Sequence, residues 1–69
     1  MGKFVPVRSV KKALDVLDLV IEANVSGQCA TLAALVGRMR MPRSSVHNLL
    51  KTLVACGYAE LSSRGVYVP

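Results

Sequence analysis

The stretch M39-R-M-P-R-S-S-V-H-N-L-L-K-T-L53 decides how this chain is read. Val46, Leu49, Leu50 and Leu53 recur at one-turn spacing behind Pro42, which makes an amphipathic helix. Successive residues of a helix turn by about 100°, so Ser44, His47, Asn48 and Lys51 fall on the opposite side, flanked by Arg43 and Ser45. No acid interrupts them. The helix is predicted over 42–56, with Pro42 at its first position and Gly57 as a left-handed stop.

Ahead of it, Thr31 is placed to cap a short helix whose apolar set is Leu32, Leu35, Val36 and Met39. Gly37 weakens that helix by about 1 kcal/mol relative to Ala. The link from Met39 to Pro42 is a tight turn, so the two segments have helix-turn-helix spacing. Behind it, YAELS and GVYVP flank SSRG and predict a short hairpin with Ser63, Arg64 and Gly65 at its tip.

Residues 1–8 read as an N-terminal arm, and 9–69 as one domain. Ser9 offers an N-cap, and a long helix is expected from Val10. It carries two apolar stripes. Val10, Leu14, Leu17 and Ile21, widened by Ala13 and Val20, are expected to face the domain's core. Val16, Leu19 and Ala23 form the surplus stripe, expected to meet a second chain. Lys11 and Lys12 stand in the first turn, where the helix dipole is already positive and each exposed cation costs about 0.3–1 kcal/mol. With the free N–H groups of that turn, they would suit a phosphate. NVSGQC, residues 24–29, ends the helix. The resulting class is mostly α with a small β-hairpin: a winged helix-turn-helix.

Composition narrows the function. The chain has 69 residues, so one small domain that benefits from a partner is expected. Mean hydropathy is +0.43, and some of that apolar surface is expected to meet another chain. The net charge is +5, and no Asp or Glu lies between Glu22 and Glu60, where Arg38, Arg40, Arg43 and Lys51 fall. Such a one-sign block is the footprint of a polyanion's partner, against the alternative of a solvated basic face.

Asp15, Asp18 and Glu22 break the most apolar pattern, and the start lacks a signal peptide's apolar core. No membrane association and a cytoplasmic location are expected. Cys29 and Cys56, with His47 as the single histidine, give no disulfide framework or metal spacing. The cysteines are expected to be reduced and inert in small apolar niches, and no cofactor is expected.

An α-helix fits the major groove of DNA. Asn pairs with adenine there, Arg with guanine or a phosphate, and Ser donates or accepts. His47 can act as neutral imidazole or as a cation beside phosphate. Ser44 and Ser45 are small enough for close approach. Thr31 and the first N–H groups of the second helix would hold a phosphate, and Arg64 would reach a neighbouring minor groove or the backbone. An enzyme is not expected. No paired carboxylates, phosphate loop or metal spacing occur, and Ser44 with His47 would lie on a convex face without a pocket. The alternative of another class is a winged-helix module that docks on protein.

The segments VRSVKKALDVLDLV and TLAALVGRMRMPRSSVHNLLKTLVACGYAEL resemble the N-terminal DNA-binding domain of the IclR family of bacterial transcription regulators, over roughly residues 7–68. MPRSSVHNLL and LVACGY carry most of the likeness. The resemblance implies that the third helix reads the major groove, that dimers form through the first helix, and that operators are palindromic. It implies a larger effector-binding domain, which this chain, ending at Pro69, would lack. Arg43, Ser44, Ser45 and His47 match the family pattern. Asn48 stands where the family often has Arg. Arg40 stands where the turn commonly has Gly, and a left-handed backbone there would cost about 1–2 kcal/mol. Gly37 replaces a longer helical residue. Leu61, Val66 and Val68 put apolar side chains where the wing is often charged, expected to pack on the absent domain or a dimer mate. On this reading Arg43, Ser44, Ser45, His47 and Asn48 read bases, while Lys11, Lys12, Thr31, Arg38, Lys51 and Arg64 hold the backbone.

Overall fold

The computed structural model describes residues 2–69. Three helices, α1 (Arg8–Val25), α2 (Leu32–Met39) and α3 (Arg43–Ala55), precede two short strands, β1 (Glu60–Leu61) and β2 (Tyr67–Val68). The strands pair antiparallel, with Glu60 opposite Val68 and Leu61 opposite Tyr67. This is the expected order of a winged helix-turn-helix.

Helix α1 starts two residues earlier than Ser9 capping would give. Val7 is its N-cap without a side-chain bond, and the Lys11 N–H donates to the Val7 carbonyl at 3.0 Å. Arg8 therefore belongs to the helix rather than to the arm. At the next start the cap is as expected: Thr31 Oγ1 accepts from the Ala34 N–H at 3.2 Å. Pro42 is the N-cap of α3 rather than its first helical residue. Its ψ of 142° is extended, and its carbonyl accepts from the Val46 N–H at 3.1 Å. Proline fits there because no N–H is needed. At the other end Cys56 is the C-cap, and Gly57 follows at φ 83°.

The link between α2 and α3 is Arg40, Met41 and Pro42. Arg40 sits at φ 55° and ψ 40°, a left-handed residue without glycine's freedom. Its N–H still closes α2 by donating to the Val36 carbonyl. Arg40→Gly is expected to raise stability by about 1 kcal/mol, the relief of that strain less the added freedom of the unfolded chain. Urea denaturation followed by circular dichroism reads it. A lower midpoint would mean that the arginine side chain supports the turn by contacts the strain argument ignores.

The core is Val16 and Val20 from α1, Leu35 from α2, Val46, Leu50 and Leu53 from α3, and Ala30, Ala59 and Tyr67 around the hairpin. Leu50 and Val46 are fully enclosed. Of the stripe expected to face the core, Val20 is buried as expected, but most of the rest is not, and the surplus stripe takes its place. Val16 is wholly buried, and Leu19 and Ala23 pack against the core. Val10, Leu14 and Ile21 are 56%, 55% and 40% exposed. Leu17 lies between, half-buried against the core. Val16 is thus out of reach of a second chain, and Leu19 and Ala23 are half-buried against the core at the edge of a small cavity.

A polar clamp fixes this rotation. Asn24 stands one turn beyond Val20 on the same side of α1. Its Nδ2 donates to the Val20 carbonyl at 2.8 Å and to the Tyr67 carbonyl at 3.0 Å. The hairpin is tied down a second time where the Tyr67 N–H donates to the Ala30 carbonyl at 2.8 Å and Thr31 bridges to Val66. The segment before α2 therefore acts as a third edge for the wing. Cys29 and Cys56 are free, as expected, but both are exposed rather than set in apolar niches, since neither the α1–α2 turn nor the end of α3 is covered.

Candidate nucleic-acid interface

Helix α3 packs one side and presents the other. Val46, Leu50 and Leu53 are buried against α1 and α2 and Leu49 is half-buried, which turns Arg43, Ser44, His47, Asn48 and Lys51 outward as exposed side chains. Ser45 lies on the boundary and is partly buried. Among the described residues, the side chains of Arg43, His47, Asn48 and Lys51 enter no salt bridge and no intramolecular hydrogen bond. Donors left open to water on a protruding helix can be aimed at base edges without first breaking internal bonds.

The backbone of α3 is firm where it matters. Thr52 Oγ1 donates to the Asn48 carbonyl at 2.9 Å, and the N-terminal half lies directly over the enclosed Val46. At the wing tip, Ser62 Oγ accepts from the Arg64 N–H at 3.3 Å and from the Val66 N–H at 3.2 Å, while the Gly65 N–H closes the turn on the Ser62 carbonyl. Arg64 is exposed on this ordered turn. Gly65, at φ 76°, supplies the backbone that the tip needs.

The other cations lie in different company. Lys11 is bonded to Asp15 at 2.9 Å and borders the apolar groove of Phe4, Val7, Val10 and Leu14. Arg38 stands 3.8 Å from Glu22 beside a small cavity of about 170 Å³ edged by Leu19, Ala23 and Cys29. Both ion pairs are well exposed, so each contributes under about 1 kcal/mol. Lys12 is partly buried and Thr31 is half-buried at its cap. His47 and Lys51 instead share a groove with Leu61 and Tyr67 of the wing. The structure therefore joins the exposed polar face of α3 to the hairpin, and sets Lys11 and Arg38 on separate patches. Sequence reasoning missed Ser62 and Asn24. A serine opening an SSRG turn and an asparagine one turn after Val20 were the available signals.

Residues 9–63 match the family model of the IclR helix-turn-helix domain. The chain belongs to the IclR family. A helix-turn-helix of the IclR family is a DNA-binding element of transcription regulation. The chain is also similar to the HTH-type transcriptional regulator BhcR of Paracoccus denitrificans (strain Pd 1222), with 43% identity over 58 residues. Those residues are 84% of this chain and 19% of that protein, so the chain spans about a fifth of this relative's length. No solved structure matches it significantly. Among the described residues, no helix is long and apolar enough to cross a membrane, and no cluster of His, Cys, Asp or Glu could hold a metal ion.

Proposed function

We propose that this domain reads a specific duplex sequence by placing α3 in the major groove, as one half of a homodimer on a palindromic operator. The observation that carries the reading is the outward face of α3: Arg43, Ser44, His47, Asn48 and Lys51 together, exposed, unpaired among the described residues and without an acid between them. Asn48, His47, Arg43, Ser44 and Ser45 contact base edges. Lys51, Arg64, Thr31, Lys12 and Arg38 hold phosphates and set register. Arg38 does so by exchanging Glu22 for phosphate, a cheap exchange for an exposed pair.

The homodimer rests on the exposed face of α1. Val7, Val10, Leu14, Leu17 and Ile21 follow a 3-4-3-4 spacing, the period of a helix-to-helix seam. Four of them are substantially exposed. Lys11 and Asp18 flank that seam at its e positions. In an antiparallel pair, Leu14 lies opposite Leu17 of the partner subunit, and Lys11 faces Asp18 of the partner subunit. Opposite charges then meet twice across the two-fold axis. Lys11 is accordingly assigned to the interface rather than to a phosphate. Two copies of α3 would enter major-groove faces about 34 Å apart.

Selection of sites from random duplexes tests the whole reading, since palindromy and half-site spacing report symmetry. Two substitutions separate the roles on α3. Lys51→Ala is expected to weaken binding to every sequence and to flatten the salt slope by up to about one unit. Asn48→Ala is expected to cost about 1–3 kcal/mol on the selected site and to relax preference at one or two positions. Equal losses on selected and random DNA for Asn48→Ala would remove it from the base-reading set. No retardation of any duplex at low salt would favour a protein-docking winged helix.

A further inference from the structure

We infer that the groove between α3 and the hairpin seats one strand of the DNA backbone, with Leu61 packed against its deoxyriboses. This rests on α3 being the DNA-reading helix and adds a contact that helix does not supply.

The groove has a volume of about 350 Å³ and is lined by His47, Lys51, Val54 and Ala55 of α3 and by Leu61 and Tyr67 of the wing. Leu61 and Tyr67 are cross-strand partners and so share one face of the hairpin, the face that packs on the core. Tyr67 completes that packing at 3% exposed, whereas Leu61 is 52% exposed and Val54 is 37% exposed. Leu61 thus points inward by register but overhangs open space instead of core. Adjacent residues of a strand alternate sides, which turns Glu60 to the opposite face.

Charge selects the occupant. The residues that line the groove include Lys51 and His47 and no acid. Both lie on the exposed side of the reading helix, so the groove continues the same surface toward the wing. The sugar-phosphate strand that separates the major groove at α3 from the minor groove under Arg64 crosses this ground. It brings alternating phosphates and sugars: the phosphates meet Lys51 and His47, and the apolar C–H faces of the sugars meet Leu61 and Val54. An anionic chain with apolar spacers fits cations set beside aliphatic side chains. An acidic or purely apolar partner would use only half of the lining.

Two substitutions of opposite charge test the seat. Leu61→Lys is expected to tighten binding to random and selected duplexes alike, about twofold to tenfold at low salt, and to steepen the salt slope by up to about one unit. Leu61→Asp is expected to weaken both by about tenfold or more. Leu61 is half exposed on a two-residue strand, so both chains should fold, which thermal melting checks. Fluorescence anisotropy on labelled duplexes at several salt concentrations gives the affinities. Equal weakening by Lys and Asp would mark Leu61 as a structural residue and overturn the inference. Unchanged affinity in both, or a change confined to self-association, would overturn it while leaving α3 as the reader. An unsubstituted chain that binds no duplex would take the reading of α3 down with it.

Discussion

A chain carrying Leu14→Asp is expected to run as a monomer in sedimentation at concentrations where the unchanged chain is a dimer. Its affinity for a palindromic duplex should fall about a hundredfold or more, because the second half-site is no longer engaged by a tethered copy. Leu14 is 55% exposed and sits mid-seam between Val10 and Ile21. The substitution costs the isolated fold little, since an exposed helical position tolerates Asp within about 1 kcal/mol. The loss therefore reports the interface. Affinity for a single half-site should stay within a few-fold of the original. The flanking charges give a sharper version. Lys11→Asp and Asp18→Lys should each weaken the dimer by setting like charges face to face, and the double exchange should restore it. Restoration requires the antiparallel arrangement, because only there does Lys11 meet Asp18 of the partner subunit. A Leu14→Asp chain that still dimerises would place the mate elsewhere.

The second large effect is in the core. Leu50→Ala is expected to lower stability by about 2–5 kcal/mol, the cost of an apolar side chain removed where the surroundings cannot collapse. Leu50 is fully enclosed on α3, between the Val16–Val20 face of α1 and the Leu35 side of α2. A domain of this size holds only about 3–10 kcal/mol in total. The melting temperature should drop by about 15–25 °C, and DNA binding should vanish with the fold rather than shift in specificity. Asn48→Ala, on the opposite side of the same helix, should leave melting almost unmoved. A drop of less than about 5 °C for Leu50→Ala would show that the core is held elsewhere.

Most of α3 was legible from its residues. One apolar side, one polar side, a proline in front and a glycine behind leave few options, and the structure adjusts the ends by one residue. Thr31 was equally plain, because a cap needs only its own hydroxyl and an N–H three residues on. The left-handed backbone at Arg40 was signalled only by the resemblance, since the family commonly has Gly there. These features are local: each depends on neighbours within a turn or two.

The rotation of α1 was not local. Its apolar arc is wide enough that Val16 and Val20 or Val10, Leu14 and Ile21 could equally have turned inward, since the 3.6-residue period fixes the faces and not their destination. The choice was made by partners distant in the chain. Asn24 bonds to the Tyr67 carbonyl, 43 residues away, on the side of α1 that carries Val20. Leu35, Leu50 and Leu53 then close on Val16 and Val20. The wing's attachment to Ala30 and Thr31 and the overhang of Leu61 above its groove are decisions of the same kind. Helices, caps and the polar face of α3 came from short-range periodicity and hydrogen bonding. Which apolar face is buried in the core, and which remains exposed, emerged only when segments far apart in sequence packed together, because burial is a property of the assembled whole.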